Sequence, residues 1–280
     1  MTLSGRARLA GVMGWPVAHS LSPRLHGYWL KEYGIDGAYV PLPVRPDRLG
    51  PALRALGDLG FAGCNLTVPH KEAALSELTE IAEEARRVGA VNTILVRSDG
   101  TLYGWNTDID GFAQSLAAAL PNWRVAGKCA VVLGAGGAAR AVVAALQMLG
   151  AGEIVVVNRT FERALSLAKA LGGSIRPWPW KRMAEALGRA SLLVNSTTLG
   201  MAGKPPLSID LAPLPVEAAV VDIVYTPLET PLLLAASRRG HPTVDGLGML
   251  LHQAVPGFEA WFGRRPEVTP ALREFVLAQP

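Results

Sequence analysis

Short apolar runs alternate with longer segments of helical periodicity along the first part of the chain. The apolar runs predict strands at residues 9–13, 38–44, 61–67, 89–96 and 102–105. The intervening segments predict helices at residues 22–33, 46–56 and 69–87. A further helix is predicted at residues 106–120. This alternation is typical of an α/β sheet that is mostly parallel.

Several of these helix starts carry polar residues that chemistry could use. Ser22 followed by Pro23 predicts a helix with Ser22 at its N-cap. Ser20 and Ser22 together are also suited to hold a carboxylate, although the spacing favours the cap. Lys71 lies in the first turn of the helix that begins at Pro69, where the helix dipole opposes a positive charge. A solvated surface lysine is the usual explanation, yet this position favours the neutral amine that acid–base chemistry uses.

Two other polar residues are open to two interpretations each. Asp108 lies at a helix start, where an acidic side chain stabilises the helix dipole. Asn92 lies in a predicted strand, where a side-chain amide commonly bonds the backbone. Either residue can equally belong to a binding site, and neither decides the function alone.

A glycine-rich turn organises the second part of the chain. It follows the apolar run at residues 129–133, and Gly134, Gly136, Gly137 and Ala139 fit the form G-x-G-x-x-G/A. A helix-forming run and a second strand at residues 153–157 come next. Glycine permits close approach of a ligand to the backbone, and the free N–H groups of a helix start suit a pyrophosphate. The pattern predicts a Rossmann-like, doubly wound dinucleotide-binding domain.

The end of the second strand of this unit bears on the choice of cofactor. A site for NAD normally places an acidic residue there to bond the ribose hydroxyls. This chain has Asn158-Arg159-Thr160 instead, with Arg163 following. A guanidinium matches a phosphate in charge and in paired donors, so the sequence predicts NADP(H) in preference to NAD. The alternative is that both arginines are solvated residues at a helix start.

The rest of the second part continues the same alternation. Strands are predicted at residues 192–195 and 219–224, and helices at residues 163–171, 178–186, 231–239, 250–262 and 270–277. The glycine-rich segment at residues 245–249 is predicted to be a hinge.

Composition narrows the class of protein. The chain of 280 residues is 50% hydrophobic and 18% charged, which predicts a packed core. Its net charge of +4 is spread out, so no nucleic-acid partner is expected. No apolar run is long enough for a membrane span, and no export signal is recognised, so a cytoplasmic enzyme is expected. The 2 cysteines, Cys64 and Cys129, are expected to be buried hydrophobic residues. The 5 histidines have no metal-ligand spacing, so no metal is expected.

Several motifs occur together, in one order along nearly the whole chain. They are Gly14-x-Pro16-x-x-His19-Ser20-x-Ser22-Pro23, Asn65-Leu66-Thr67-Val68-Pro69-His70-Lys71, Gly89-Ala90-Val91-Asn92-Thr93, Gly104-x-Asn106-Thr107-Asp108-x-x-Gly111, the glycine turn, Asn158-Arg159-Thr160, Asp222-x-x-Tyr225 and Asp245-Gly246-x-Gly248-Met249-x-x-x-Gln253. Each motif is modest alone, but jointly they resemble the NADP-dependent shikimate dehydrogenase family.

The resemblance implies an architecture and an activity. It implies a substrate-binding catalytic domain at residues 1–107, an NADP-binding Rossmann-like domain at 108–245, and C-terminal helices at 246–280 that return to the first domain. The implied reaction is the reversible, NADPH-dependent reduction of 3-dehydroshikimate to shikimate on the route to chorismate and the aromatic amino acids. The sequence leaves open whether the protein is a monomer or a homodimer.

The resemblance also implies roles for individual residues. Lys71 and Asp108 are the implied catalytic pair. The implied substrate-binding residues are Ser20, Ser22, Thr67, Lys71, Asn92, Asp108, Tyr225 and Gln253. The implied cofactor-binding residues are Gly134, Ala135, Gly136, Gly137, Ala138, Asn158, Arg159, Thr160, Arg163, Thr197, Ile223, Gly246 and Met249.

Two other functions are compatible with parts of this pattern. One is a relative of broader substrate or NAD use, which acts on quinate or on both acids. Ser22 and Arg159 argue against it, since quinate-preferring relatives tend to have a larger hydroxyl residue or an acidic strand end at these places. The other is an idle NADP-binding regulator, which is expected to lack Lys71 or Asp108; both are present.

Overall fold

The computed structural model describes residues 3–278. The chain divides into two compact units. The first unit comprises the residues up to Thr107 together with those from Leu250 onward, and the second unit comprises Asp108–Met249.

Strands and helices alternate through both units. The strands are β1 (Arg8–Gly14), β2 (Gly37–Pro43), β3 (Phe61–Leu66), β4 (Glu80–Ile81), β5 (Thr93–Val96), β6 (Leu102–Trp105), β7 (Cys129–Leu133), β8 (Glu153–Asn158), β9 (Ile175–Pro179), β10 (Leu192–Asn195), β11 (Ala219–Asp222) and β12 (Thr243–Val244). The α-helices are α1 (Ser22–Glu32), α2 (Leu49–Asp58), α3 (His70–Ala73), α4 (Glu83–Val88), α5 (Asp108–Ala119), α6 (Gly137–Met148), α7 (Phe161–Leu171), α8 (Met183–Leu187), α9 (Pro231–Arg238), α10 (Leu247–Phe262) and α11 (Pro270–Leu277).

The first unit is built on a six-stranded sheet in the order β2-β1-β3-β5-β6-β4. Strand β1 pairs in parallel with β2 and β3, and β4 pairs in parallel with β6. Strand β5 is antiparallel to both β3 and β6. The sheet is therefore mixed, and β5 and β6 form a hairpin within it.

One helix cap and one whole helix are predicted wrongly in the first unit. Ser22 is the first helical residue of α1, and the N-cap is Leu21, without a side-chain cap. The long helix expected at residues 69–87 is broken into α3 and α4. Between them, Glu80–Ile81 pairs with β6, and a Cβ on Gly104 would lie 2.4 Å from the Leu78 side chain. Long-range pairing and packing override the local helical preference here.

The C-terminal residues from Leu250 onward belong to the first unit and pack on its sheet and helices. The buried indole of Trp261 in α10 donates a 2.9 Å hydrogen bond to the carbonyl oxygen of Ile94 in β5. Trp29 in α1 donates to the carbonyl of Glu267 at 3.0 Å. These bonds satisfy backbone oxygens that burial would otherwise leave unpaired.

His26 lies in a buried aromatic cluster between α1, β2 and α10. Its ring stacks on Tyr39, with centroids 3.8 Å apart and planes 6° apart. Phe258 and Trp261 approach the same imidazole at 5.8 Å. Both ring nitrogens are buried without a hydrogen-bond partner, and burial lowers the pKa of His26 to about 3. The side chain is therefore neutral and acts as an aromatic core residue.

The second unit is a six-stranded parallel sheet in the order β12-β11-β10-β7-β8-β9. Its core strands are fully buried, which explains their uninterrupted apolar sequences. The predicted helix at residues 178–186 is wrong at its start, because Ile175–Pro179 forms the edge strand β9. An edge strand tolerates proline because one side needs no ladder hydrogen bonds. Strand β12, at the other edge, was not predicted.

The glycine-rich segment at residues 245–249, predicted to be a hinge, leads directly into a helix. Helix α10 already begins at Leu247, whose N–H donates a 3.0 Å hydrogen bond to Oδ1 of Asp245. A Cβ on Gly246 would lie 2.3 Å from the carbonyl oxygen of Ile223. A Cβ on Gly248 would lie 2.4 Å from Oγ of Ser115. These glycines allow close packing at the start of a helix.

The described residues, 3–278, contain no helix long and apolar enough to cross a membrane. In the same range, no cluster of three or more histidine, cysteine, aspartate or glutamate side chains is arranged to hold a metal ion. Both cysteines are free; Cys64 is buried and Cys129 is half-buried. Burial raises the pKa of both thiols, to about 11 for Cys129.

Candidate active site

The topology of the first sheet gathers separate motifs at one edge. Strands β1, β2 and β3 run in parallel, so their carboxyl ends share that edge. Strand β5 is antiparallel to β3 and begins there, and β6 is antiparallel to β5 and ends there. The segments after β1, β3 and β6 and the segment before β5 therefore meet. They carry Thr67, Lys71, Asn92 and Thr107.

Backbone hydrogen bonds fix these segments to one another. The N–H of Thr67 donates to the carbonyl of Met13 at 2.9 Å, and the N–H of Val91 donates to the carbonyl of Lys71 at 2.8 Å. A Cβ on Gly14 would lie 2.4 Å from Cγ2 of Thr67, so glycine is needed for Thr67 to lie this close. The backbone of Lys71 is thereby held next to the residue that precedes Asn92.

The buried amide of Asn92 is the centre of a polar cluster. Its Oδ1 accepts hydrogen bonds from the N–H of Thr107 at 2.8 Å and from Oγ1 of Thr93 at 3.0 Å. Its Nδ2 donates to Oγ1 of Thr107 at 3.0 Å and to Oε1 of Gln253 at 3.3 Å. Asn92 and Gln253, which the family resemblance assigned to the substrate, are thus brought together. The interpretation of Asn92 as only a strand amide bonded to backbone is too narrow.

Asn65 and Tyr39, which support this cluster, were not predicted as site residues. Asn65, at the end of β3, donates through Nδ2 to the carbonyl of Asn92 and to Oγ1 of Thr93, both at 3.1 Å. Its Oδ1 accepts a 2.6 Å hydrogen bond from the hydroxyl of Tyr39. The available signal was a lone amide at the end of an apolar strand, which burial requires to be hydrogen-bonded.

The two predicted serines lie at the start of α1. Ser22 is 5% exposed, and its N–H donates to Oγ of Ser20 at 3.3 Å. Because Leu21 is the N-cap and no side chain caps the helix, the N-cap role predicted for Ser22 is wrong. The Ser22 side chain is therefore not accounted for by capping.

Lys71 belongs to α3, which has only 4 residues. Such a helix sums few peptide dipoles, so the argument that favoured a neutral amine from a long helix does not apply. Its neighbour His70 is buried, and Nε2 of His70 lies 2.8 Å from the carbonyl oxygen of Val44. Burial lowers the pKa of His70 despite this bond, so the imidazole is neutral, with its proton on Nε2. This contact ties α3 to the segment after β2.

In the second unit, the glycine turn lies where the order of the strands reverses. The chain leaves β7 toward β8 and β9, and then returns to β10 on the other side of β7. Ligands of open α/β sheets bind at such a point, beyond the carboxyl ends of the strands. Gly134 has a φ of 110°, and a Cβ there would lie 2.8 Å from Oγ of Ser196. Only glycine fits this position.

The turn leads into α6 with an accessible approach to the helix N-terminus. Gly136 is the N-cap, and no atom lies within 4 Å of where its Cβ would be. Ala135 is buried, and Gly137 and Ala138 begin the helix. Because no side chain blocks this helix N-terminus, a pyrophosphate can approach its backbone N–H groups closely. The positive end of the helix dipole suits the charge of that group.

The residues after β8 follow the turn on the neighbouring strand. Leu133 is in register with Val157, so Gly134 and Asn158 leave the sheet side by side. Nδ2 of Asn158 donates to the carbonyl of Thr160 at 2.8 Å, which orders the segment. Arg159 and Arg163 are exposed. Their position and charge fit the phosphate on the adenosine ribose of NADP.

Three more predicted cofactor residues converge on the same sheet edge. The hydroxyl of Thr197 donates to Oδ1 of Asn195 at 2.7 Å, and its Cγ2 lies 3.1 Å from where a Cβ on Gly134 would be. The N–H of Ile223 donates to the carbonyl of Asn195 at 3.0 Å. Gly246 packs against the carbonyl of Ile223.

The remaining predicted residues of the second unit lie at element ends. Asp108 is the first residue of α5 and is 4% exposed. Tyr225 follows β11 and is half-buried, and Met249 lies in the first turn of α10 and is 8% exposed. Sequence reasoning did not predict Asn195 as a site residue, although its position at the end of an apolar strand was a signal.

Asp222 belongs to one of the family motifs, but no role was predicted for it. It is fully buried at the end of β11. Burial raises the pKa of this carboxyl to about 6, while hydrogen bonds from Thr230, Val224 and Asn195 act in the opposite direction.

Models of three domains match the chain in sequence order. They are the shikimate dehydrogenase substrate binding domain at residues 12–94, shikimate / quinate 5-dehydrogenase at 115–201, and the shikimate 5'-dehydrogenase C-terminal domain at 246–274. Among similar proteins, the shikimate dehydrogenase (NADP(+)) of Paramagnetospirillum magneticum is 58% identical over 99% of this chain and 100% of its own length. That of Rhodospirillum rubrum is 57% identical over 99% of this chain and 100% of its own length.

Solved structures of similar proteins cover nearly all of this chain. Shikimate 5-dehydrogenase from Thermus thermophilus in complex with NADP(H) and shikimate has a TM-score of 0.84 and 40% identity, over 96% of this chain and 98% of its own. Quinate dehydrogenase from Corynebacterium glutamicum in complex with NAD has a TM-score of 0.89 and 32% identity, over 98% of this chain and 99% of its own.

Proposed function

Because the chain belongs to the shikimate dehydrogenase family, we propose that it catalyses the reversible, NADPH-dependent reduction of 3-dehydroshikimate to shikimate. The observation that carries this proposal is the whole-length identity of 58% to a shikimate dehydrogenase (NADP(+)). The polar cluster around Asn92 and the glycine turn at Gly134 supply the matching chemistry in the two units.

The second unit provides the cofactor site. The N–H groups at the start of α6 bind the pyrophosphate, and Gly134 and Gly136 let it approach the backbone. Arg159 and Arg163 bind the ribose phosphate, supported by the absence of a carboxylate at residues 158–160. Asn158, Thr160, Thr197, Ile223, Gly246 and Met249 complete the site. Bound NADPH supplies a hydride for the carbonyl carbon of the substrate.

The first unit provides most of the substrate site. Ser20 and Ser22 bind the substrate carboxylate, together with Tyr225 of the second unit. Thr67, Asn92 and Gln253 bond the ring hydroxyls. The support is the edge of the first sheet, where the buried amide of Asn92 lies within hydrogen-bond distance of Gln253. Groups with fixed donors and acceptors orient a polyhydroxylated ring without reorganisation during the reaction.

Lys71 and Asp108 form the acid–base pair. As the carbonyl carbon gains hydride, its oxygen becomes an alkoxide that needs a proton, and the Lys71 ammonium donates it. Asp108 is the acidic partner of the lysine in this pair. The proposal is supported by the anchored backbone of Lys71 and by the position of Asp108 directly after Thr107, which bonds Asn92.

The alternative is a dehydrogenase of broader use, acting on quinate or with NAD. The similarity to a quinate dehydrogenase in complex with NAD favours keeping this candidate. The exposed Arg159 and the missing strand-end carboxylate favour NADP.

The protein works in the cytoplasm, as a monomer or homodimer, on the route to chorismate and the aromatic amino acids. Cys64 and Cys129 are both free thiols, which fits a reducing compartment. Light scattering of the purified protein would distinguish the two assembly states.

The test is direct conversion of the proposed substrate. Purified protein is mixed with 3-dehydroshikimate and NADPH, and both cofactor absorbance and products are followed. The proposal expects one shikimate formed for each NADPH oxidised. If NADPH remains unoxidised in the presence of folded protein, the proposed function is wrong.

A further inference from the structure

Asn195 and Asp222 form a buried pair at the ends of adjacent strands. They are register partners in β10 and β11, and both are 0% exposed. Nδ2 of Asn195 donates a 2.9 Å hydrogen bond to Oδ1 of Asp222. Neither residue is assigned to binding or catalysis in the proposed function.

The orientation of the Asn195 amide is fixed by backbone groups. Its Oδ1 accepts from the N–H of Thr197 at 3.1 Å, and its Nδ2 donates to the carbonyl of Leu199 at 3.1 Å. A backbone N–H can only donate and a carbonyl can only accept, so the amide cannot be reversed. Asn195 therefore has a single hydrogen-bonding arrangement.

This arrangement commits the hydroxyl of Thr197. Its only hydrogen is donated to Oδ1 of Asn195 at 2.7 Å, since that oxygen is an acceptor. The same hydroxyl accepts from the N–H of Leu199 at 3.1 Å. It has no hydrogen left to donate to a phosphate or ribose oxygen. The methyl group of Thr197 is the part that lies beside the glycine turn, 3.1 Å from a Cβ position on Gly134.

Asp222 extends the same network to the segment after β11. Its Oδ1 also accepts from the N–H of Val224 at 3.0 Å, and its Oδ2 accepts from the hydroxyl of Thr230 at 2.7 Å. Thr230 caps α9 by accepting from the N–H of Leu233. The carboxylate thus ties the amide of Asn195 to the backbone that follows Ile223.

We propose that Asn195 and Asp222 are positioning residues for NADP(H) binding, which hold the hydroxyl of Thr197 so that its methyl group packs on the bound cofactor. This inference rests on the proposed cofactor site. It predicts that Thr197 contributes by apolar contact, and that the buried pair contributes through Thr197 and the segment after β11.

The deciding variant is Thr197→Ser, which keeps the hydroxyl and removes only the methyl. Loss of one buried methyl group should raise the NADPH dissociation constant about threefold to fourfold. Asp222→Asn replaces a charged acceptor with a neutral one, which weakens the hydrogen bonds from Asn195 and Val224. It should raise the NADPH dissociation constant about fivefold or more. Binding of shikimate to the cofactor-free protein should not change in either variant.

His241→Leu is the matched control for a general loss of stability. Nδ1 of the buried His241 lies 3.2 Å from the carbonyl of Ala218, which precedes β11 at its opposite end. This variant should lower the melting temperature and leave the NADPH dissociation constant within about twofold.

NADPH and NADH are titrated into each protein by fluorescence, and melting is followed by circular dichroism. Wild-type affinity for NADPH in Thr197→Ser would overturn the inference while leaving the proposed function intact. The inference would also be overturned if Asp222→Asn lowered the melting temperature without raising the NADPH dissociation constant. Thr197 is half-buried, so its serine variant remains informative even if Asp222→Asn does not fold. Failure of the unsubstituted protein to bind either nucleotide would overturn both proposals.

Discussion

The backbone N–H of Thr107 donates a 2.8 Å hydrogen bond to Oδ1 of Asn92. This bond identifies the oxygen of the Asn92 amide, because a backbone N–H cannot accept. The other end of the amide, Nδ2, is consequently a donor and faces Oε1 of Gln253 at 3.3 Å. In the proposed substrate site, Asn92 therefore acts as a donor to a ring hydroxyl.

The first prediction concerns this donor. Asn92→Asp keeps an acceptor for Thr107 but places a second oxygen opposite Oε1 of Gln253. We expect the KM for shikimate to rise about tenfold or more, with the KM for NADP nearly unchanged. Steady-state kinetics with each substrate varied in turn provide the measurement. Asn122→Asp, at an exposed loop position, is the control and should change neither constant.

The second prediction separates catalysis from binding at Lys71. Lys71→Ala removes the proposed proton donor, so kcat should fall by about 10²–10⁴. The KM for shikimate should rise much less. Lys31→Ala, which removes an exposed lysine at the end of α1, should have no such effect. A kcat close to that of the unsubstituted enzyme would exclude Lys71 as the acid.

The third prediction concerns the adenosine phosphate. Arg159→Ala should raise the KM for NADPH about tenfold, because a charge-assisted contact is lost. The KM for NADH should stay the same, since that cofactor lacks the phosphate. Arg176→Ala, an exposed arginine on β9, is the control. Equal losses with both cofactors would mean that Arg159 does not recognise the phosphate.

The fourth prediction is a pH dependence of stability caused by His26. Burial lowers its pKa to about 3 in the folded protein, against roughly 6.5 in an unfolded chain. Below about pH 6.5 the unfolded chain binds a proton that the folded protein does not bind. The contribution to stability is therefore complete above about pH 6.5 and is lost progressively as the pH falls toward 3.

His26→Phe keeps a ring to stack on Tyr39 but cannot be protonated. Relative to the unsubstituted protein, its free energy of unfolding should increase by up to about 1.4 kcal/mol for each pH unit below 6.5. Asp222 acts with the opposite sign: its pKa, raised to about 6, gives a contribution present below about 3.8 and lost as the pH rises through 6. Both proteins contain Asp222, so its contribution cancels when their free energies of unfolding are subtracted. Denaturant titrations of both proteins between pH 7.5 and 5 measure this difference in the free energy of unfolding. A difference that does not change with pH would contradict the prediction. His19→Gln, which replaces an exposed histidine, is the control.

Local sequence predicted most elements of this fold. Apolar runs such as residues 129–133 and 192–195 became buried strands, and Pro270 marked the start of α11 correctly. The errors lie where distant contacts decide. Pairing of Glu80–Ile81 with β6 breaks a segment of helical composition, and pairing of Ile175–Pro179 with β8 forms a strand despite its prolines.

The candidate site was predictable only in part, for a related reason. The family resemblance predicted Asn92, Gln253 and Thr197 as site residues, but not the residues that orient them. Asn65 and Asn195 are buried because of the strands on which they lie, and their partners are 27 residues away in each case. A sequence without a known sheet order cannot supply those pairings.

The most direct test of the central claim is a comparison of kcat/KM for shikimate and quinate, each with NADP and with NAD. The account predicts that the value for shikimate with NADP exceeds the other three. Efficient turnover only with quinate, or a clear preference for NAD, would contradict it.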